Sequence, residues 1–442
     1  MSKTSTPLTR RDFLGAAAGM ALLPAATAVA RNRVVGANDR VRLALVGCGT
    51  RGTQVSNFFL RHPDVQYVAA TDVFKPRLDA RVASFAEMQG GATTDAFEDY
   101  RRILDRKDID AVHIATPDHW HCQILIDAIK AGKDVYVEKP LSNQVDRAVQ
   151  ALQAYRASDR VVQLGTQQRS GQHFQEAAEI VQSGELGKVT HAACVFPGTG
   201  YGHAPEPVID PPAGLNWELF QGPAPRRPFK QSRQTGWRGW WDYGGGLITD
   251  WGVHLTDIAL WYLNSQHAGP TLTSGVGQYV NLVNPEHDQS PDAVYVSWQY
   301  PAFVMSYTNA IPYDQEFGRQ GNYFFGSRGS LLVHRGGYEI RPSPPRPAFG
   351  RGGRAGGAAA PATPPPPPLA AKRVPYAENY NDDPHTIAHA RNFLDSVKSR
   401  KKPVSDLEIG FYASLPCLLG VMAVREGRSF KWDNQALKAV PV

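Results

Sequence analysis

The sequence predicts an α/β chain in two parts: a doubly wound parallel sheet near the N-terminus, then an α+β domain built on a large, mainly antiparallel open sheet. Three observations carry this. Short apolar runs alternate with helical segments from Arg40 to about Gly165. Past Arg169 the alternation gives way to successive β-rich stretches. The length, 442 residues, exceeds one ordinary core, so domains over 31–168 and 169–442 are expected behind an N-terminal segment 1–30.

Val41 to Val46 is a continuous apolar run, the pattern of a strand buried on both faces. A glycine-rich turn and a helix to Leu60 follow, then strands over Val65 to Thr71, Ala111 to Ala115, Asp134 to Val137 and Val161 to Leu164. Beyond a helix near His173 to Gln182, strands are expected over Val189 to Phe196, Thr271 to Val283, Ala293 to Tyr300, Ala302 to Tyr307 and Gly329 to His334. Residues 336–373 hold seven glycines and ten prolines and read as an unpacked loop. Helices resume over about Thr386 to Ser399 and Leu407 to Arg425.

The formal charge of +6 suggests a nucleic-acid partner, but its location argues otherwise. The first 30 residues hold +2 and residues 336–373 hold +5, which leaves the remainder at −1. No nucleic-acid partner is therefore expected. Cys48, Cys122, Cys194 and Cys417 form no CxxC pair and read as packed thiols. The run Thr9-Arg10-Arg11-Asp12-Phe13-Leu14, an alanine-rich apolar stretch and Ala28-Val29-Ala30 resemble a twin-arginine (Tat) export signal. That resemblance implies passage through the Tat machinery and a periplasmic or otherwise exported location; no other stretch approaches eighteen unbroken apolar residues, so no membrane segment is expected in the mature form.

Gly47, Gly49 and Gly52 sit between a strand and a helix in the order that serves a dinucleotide. The first allows a tight turn, the second a close approach to pyrophosphate, and the third close helix–strand packing, with Thr50 and Arg51 opening the helix. Asp72 ends the second strand, where an acid binds ribose hydroxyls and repels a 2′-phosphate, so NAD is favoured. Lys75 and Arg77 just beyond keep NADP possible. Thr116, Pro117, Glu138 and Lys139 lie at strand carboxyl ends, the rim where ligands bind in such sheets. His119 and His121 either cap the next helix or reach the cofactor.

Together these motifs resemble the Gfo/Idh/MocA oxidoreductases. The matching residues are Val46 to Gly52, Thr116-Pro117, Glu138-Lys139-Pro140, Gly165-Thr166-Gln167-Gln168-Arg169, Gly184 to Val189, Gly244-Gly245-Gly246 and Asp250-Trp251-Gly252-Val253-His254. The resemblance implies that Lys139, Asp250 and His254 are the catalytic group, that Gln168 and Arg169 adjoin the cofactor, and that the chain forms homo-oligomers through its C-terminal sheet.

The residues read independently agree with that chemistry. Asp250 and His254 are four apart, so on one helix they share a face. His titrates where a base for alcohol oxidation should, and a lysine stabilises the alkoxide. Three glycines upstream are expected to bring the chain close to the nicotinamide. Asp257 lies on the same helical face, but no further ligand stands at a telling distance and no metal is expected. His385 and His389 read as structural or substrate-edge residues. Arg238, Trp240, Trp241, Asp242 and Tyr243 suggest a carbohydrate pocket of stacking rings and hydroxyl-binding groups, with core aromatics as the rival account. The expected activity is hydride transfer between bound NAD and a secondary hydroxyl of a sugar, polyol or glycoside. An NAD-dependent glycoside hydrolase that oxidises, eliminates, hydrates and reduces back is the alternative.

Overall fold

The computed structural model describes residues 39–198, 200–311, 319–344, 368–376 and 382–442. The expected export signal and the interior of the Gly/Pro-rich stretch lie outside the described residues.

Six parallel strands form the first sheet: β1 Val41–Val46, β2 Val65–Thr71, β3 Asp95–Phe97, β4 Ala111–Ile114, β5 Asp134–Val137 and β6 Val162–Leu164. Their order is β3-β2-β1-β4-β5-β6, so the order reverses between β1 and β4, and a ligand crevice belongs at their carboxyl ends. The apolar run of β1 serves both faces of the sheet. Val41, Leu43 and Leu45 join one core, and Ala44 and Val46 the other.

The second sheet has ten strands: β7 Val189–Val195, β8 Leu272–Gln278, β9 Ala293–Gln299, β10 Val304–Thr308, β11 Gly321–Gly326, β12 Gly329–His334, β13 Gly337–Pro342, β14 Lys372–Pro375, β15 Phe430–Asp433 and β16 Lys438–Pro441. Among the described residues only β7 and β10 of this sheet pair in parallel; the other ladders are antiparallel. The expected unpacked loop over 336–373 is corrected at both ends. Residues 337–342 and 372–375 form β13 and β14, paired from Gly337↔Pro375 to Ile340↔Lys372. Alternation in β13 decides this: Tyr338 and Ile340 are buried against the sheet core while Glu339 and Arg341 are more exposed, a pattern the surrounding glycines and prolines obscure.

The boundary at 168/169 is also crossed by the chain's later helices. Helix Pro384–Ser399 packs Ala390, Phe393 and Leu394 against the β1 core. Helix Leu407–Glu426 is apolar and long enough to cross a membrane by composition, but it is buried between the sheets. Leu407, Phe411, Leu415, Leu418 and Leu419 join the core of the first sheet, while Cys417 and Val421 join that of the second. Its glycines permit this: a Cβ on Gly410 would lie 2.8 Å from Leu164, and one on Gly420 2.9 Å from Val296.

Several histidines are buried in this frame. Burial pushes His113 down to about 3 and His119, His121 and His389 down to about 4. The unfolded chain therefore binds more protons than the folded one once pH falls below the ordinary imidazole value. This stability is fully present above that value and is lost as pH drops toward 4. Thermal denaturation should show Tm falling clearly between about pH 6.5 and pH 4. A Tm that is level across this window counts against the neutral, buried state of these rings.

Candidate active site

A cleft of about 660 Å³ runs from the glycine turn to the start of helix Gly252–Tyr262. Its floor is the β1/β4 reversal. Gly47 has φ +95°, and a Cβ there would lie 2.6 Å from the Ala115 carbonyl. A Cβ on Gly52 would meet the Gly47 carbonyl at 2.0 Å, so the helix can start against β1 only with glycine there. Gly49 faces open space apart from Arg77 at 3.8 Å. Asp72 is buried and accepts the Cys48 N–H at 2.7 Å and the Phe74 N–H at 2.9 Å. Burial raises its carboxyl above the usual range, although Arg77 and those amides pull the other way.

At the rim Glu138 pairs with Arg51 at 3.2 Å. Gly165 leaves the room: a Cβ there would sit 2.9 Å from the Glu138 carboxylate. His121 bridges the two rim loops, 2.7 Å from the Pro140 carbonyl and 2.9 Å from that of Thr116. With its ring held neutral it can donate to only one of them. The Thr116 hydroxyl is buried without a hydrogen-bond partner among the described residues and lines the cleft. That orphan group, the open face of Gly49 and the helix N-terminus fit a dinucleotide.

Lys139 and Asp250 meet across the cleft. Lys139 Nζ donates to Asp250 Oδ1 at 2.7 Å and to the Asp250 carbonyl at 2.6 Å. Arg238 Nε donates to the same Oδ1 at 3.2 Å, and the Tyr201 hydroxyl donates to Oδ2. Burial alone would raise the Asp250 carboxyl, but the charges of Lys139 and Arg238 and these hydrogen bonds hold it well below the usual carboxylate range. His254 also lines the cleft, its Nε2 3.5 Å from an Arg335 nitrogen. Burial first, then the charges of Lys139 and Arg335, push its imidazole well below the ordinary value, so it is neutral at pH 7. Asp118, buried at the rim, is raised well above the carboxylate range by burial despite Arg238 and Lys139.

Asp250 and His254 do not share one helix. Asp250 ends the short helix Gly246–Asp250, Trp251 intervenes, and His254 lies in the next helix. The core helix Leu407–Glu426 aligns these parts with Lys139. Its Ser414 hydroxyl accepts the Leu141 N–H at 3.2 Å, two residues past Lys139. The Thr256 hydroxyl, two past His254, donates to the Ala413 carbonyl at 2.8 Å.

Other expectations are corrected. Gly244, Gly245 and Gly246 pack against Arg238, Thr249 and Ser290 and do not line the cleft. Trp240 and Tyr243 are fully buried in a small aromatic core, and Trp241 lies in the second sheet's core. Asp242 pairs with Arg227 at 2.8 Å and Arg233 at 3.3 Å. Of the proposed carbohydrate group only Arg238 lines the cleft, with Trp237 beside it. Gln168 is buried off the cleft, where Gln167 takes the lining position. Arg169 is 2.7 Å from Asp257, and both are buried, so Asp257 is turned to that partner. His119 binds the Phe220 carbonyl at 2.9 Å and His389 the Leu164 carbonyl at 2.9 Å; His385 does line the cleft. Tyr201, Arg335 and Asp118 carried no motif by which spacing could find them. Arg335 is the first residue of a two-residue turn between β12 and β13, visible only once both strands are known.

Arg169→Ala should therefore cost about 3–5 kcal/mol of stability, because it strands a buried carboxylate. The folded fraction should keep its affinity for NAD. Chemical denaturation together with a binding titration reads both, and a loss of affinity without a loss of stability would return Arg169 to the cofactor site.

A family model described as the oxidoreductase family, NAD-binding Rossmann fold, matches residues 41–166, and one for the oxidoreductase family's C-terminal alpha/beta domain matches 180–329. The chain is 28% identical over 193 residues to a glycosyl hydrolase family 109 protein of Shewanella pealeana, covering 43% of this chain and 42% of that one. It is 30% identical over 154 residues to the inositol 2-dehydrogenase of Rubrobacter xylanophilus, covering 34% and 42%. The chain thus spans less than half the length of these curated relatives. Aldose–aldose oxidoreductase from Caulobacter crescentus, solved with glycerol, shares the fold with a TM-score of 0.61 at 18% identity, over 89% of this chain and 99% of that one. With the glycine turn, the Glu-Lys-Pro rim and the two matched domains in one chain, the protein belongs to the Gfo/Idh/MocA family of NAD-binding oxidoreductases.

Proposed function

We propose that the protein oxidises a secondary hydroxyl of a sugar, polyol or glycoside and returns the hydride to a carbonyl in the reverse direction. The observation that carries this reading is that Lys139, Asp250 and His254 line the same cleft as the glycine turn, with Lys139 and Asp250 paired across it. NAD, when bound, supplies the hydride acceptor. Gly47, Gly49, Thr50, Asp72 and Thr116 would hold it.

The chain's own groups handle the proton. Neutral His254 would accept it from the substrate hydroxyl as the hydrogen on the carbinol carbon leaves with its bonding electrons as hydride and the carbonyl forms. The Lys139 ammonium stabilises the developing alkoxide. Asp250 fixes Lys139, and Tyr201 and Arg238 fix Asp250 in turn.

A second reading, redox-neutral glycoside hydrolysis, draws support from the segment between β7 and helix Gly246–Asp250. Its residues return to the first sheet: Lys75 N–H donates to the Gly214 carbonyl and Asn216 N–H to that of Val73, each at 2.8 Å. Leu215, Leu219 and Phe220 then wall the cleft, and Trp120 donates to the Phe220 carbonyl at 3.0 Å. Such a strap suits a cofactor retained through turnover, with each hydride returned before release. Retention also suits export through the twin-arginine signal, which we take to carry the folded, loaded protein out of the cytoplasm.

Incubation with a panel of polyols and glycosides separates the readings. Ketone with NADH marks the oxidoreductase, and free sugar without net NADH marks the hydrolase. Lys139→Ala should lower kcat by roughly 10²-fold or more in either case. Near-stoichiometric nicotinamide released on denaturing the purified protein supports retention, while protein that turns over only with added NAD defeats it.

A further inference from the structure

Asp118 opens helix Asp118–Lys130, directly after Thr116 and Pro117 at the carboxyl end of β4. It lines the cleft and is only 4% exposed. Among the described residues its side chain bonds only its own backbone N–H. A carboxyl withdrawn from water is costly without a partner, and buried polar groups are rarely left so. Arg238 and Lys139 act on it by charge but make no ion pair with it, and its own charge reaches Asp250 and Tyr201. The acid and the two cations therefore line one cleft with a gap between them.

Arg238 has the matching capacity. Its Nε is held by Asp250 Oδ1 at 3.2 Å, and its guanidinium rests 4.3 Å from the Trp237 ring. Its two terminal nitrogens make no hydrogen bond or ion pair among the described residues. Lys139 Nζ donates to the same Oδ1 at 2.7 Å and to the Asp250 carbonyl at 2.6 Å, which leaves one of its three N–H groups. The two cations thus stand side by side on one oxygen, each with donors to spare.

Neighbouring donors of this kind fit oxygens on adjacent carbons. One is the hydroxyl to be oxidised, on Lys139. The other accepts from Arg238 and donates to Asp118, so a single hydroxyl joins an acid and a base that do not reach each other. An ether or a methylene at that position cannot do both and leaves Asp118 buried without a partner. Asp242, the acid that spacing offers for hydroxyl binding, pairs instead with Arg227 and Arg233.

We propose that Asp118, together with Arg238, is the specificity site of this chain: it reads the hydroxyl next to the one oxidised, so the substrate is a vicinal diol of a sugar or polyol. The inference rests on the secondary-alcohol reading above and narrows it.

The test compares each probe with its monodeoxy analogues. Methyl β-D-glucopyranoside, methyl β-D-galactopyranoside and myo-inositol are incubated with NAD-loaded protein, and turnover is read as NADH or as released free sugar. Wild type should lose roughly 10- to 150-fold in kcat/KM on the analogue that lacks the neighbouring hydroxyl. Asp118→Ala should lose a similar factor on the parent probe but less than about threefold on that analogue. Asp118→Asn keeps the shape and one acceptor, should fall between, and serves where the alanine variant fails to fold. NAD affinity by calorimetry should stay within about threefold in both variants. An equal loss on parent and analogues makes Asp118 structural and overturns the proposal, as does wild type that turns over all the analogues as well as the parent. A loss of NAD affinity beyond about tenfold overturns it too, by placing Asp118 on the cofactor. Wild type that binds NAD but turns over none of the parent probes removes the secondary-alcohol reading itself.

Discussion

The site depends on one contact, the ion pair of Lys139 with Asp250 across the cleft at 2.7 Å. Both side chains are nearly withdrawn from water, where a lone charge is costly and a pair is tolerated only with its hydrogen bonds complete. Asp250 meets that condition through Lys139, Arg238 and Tyr201. The lysine comes from the rim of the parallel sheet and the carboxylate from a short helix far along the chain. The pair therefore forms only when both halves of the molecule stand in a set relation.

That relation is held by helix Leu407–Glu426. It places leucines in one core and Cys417 and Val421 in the other, and its glycines allow contact at backbone distance. Ser414 and Thr256 tie it to the stretches that carry Lys139 and His254. Apolar burial supplies the drive, and these few hydrogen bonds supply the register. Its near-uniform hydropathy reflects a helix buried by protein over most of its length.

Around the pair, the same low-dielectric setting gives neighbouring groups opposite tendencies. Asp250 is held ionised by its cations, whereas His254 is held neutral by burial and those same positive charges. Asp118, buried at the rim, is pushed toward its neutral form. An ionised carboxylate beside an ammonium, with a neutral imidazole lining the same cleft, is the set of groups on which the proposed alcohol oxidation rests.

The sequence by itself determined the parallel sheet, the glycine turn and the acid that ends β2. Each rests on local chemistry: strand burial on both faces, a backbone position only glycine can occupy, or a motif at a strand end. Only the tertiary structure decided which polar and aromatic residues face the cleft. Trp240 and Tyr243 read as sugar-stacking rings, but the rings became core because Phe220 and Trp217 cover them. Arg169 read as a cofactor neighbour but pairs with Asp257, whose position depends on a helix 88 residues away. Strands β13 and β14 were hidden because the short alternation in β13 is masked by the flanking glycines and prolines, and its partner lies across a long Gly/Pro-rich stretch. Tyr201 and Arg335 reach the site from a strap and a hairpin turn whose placement depends on long-range packing. Residue type and spacing encode what a segment can form alone; which face meets which neighbour is fixed by contacts between segments distant in the chain.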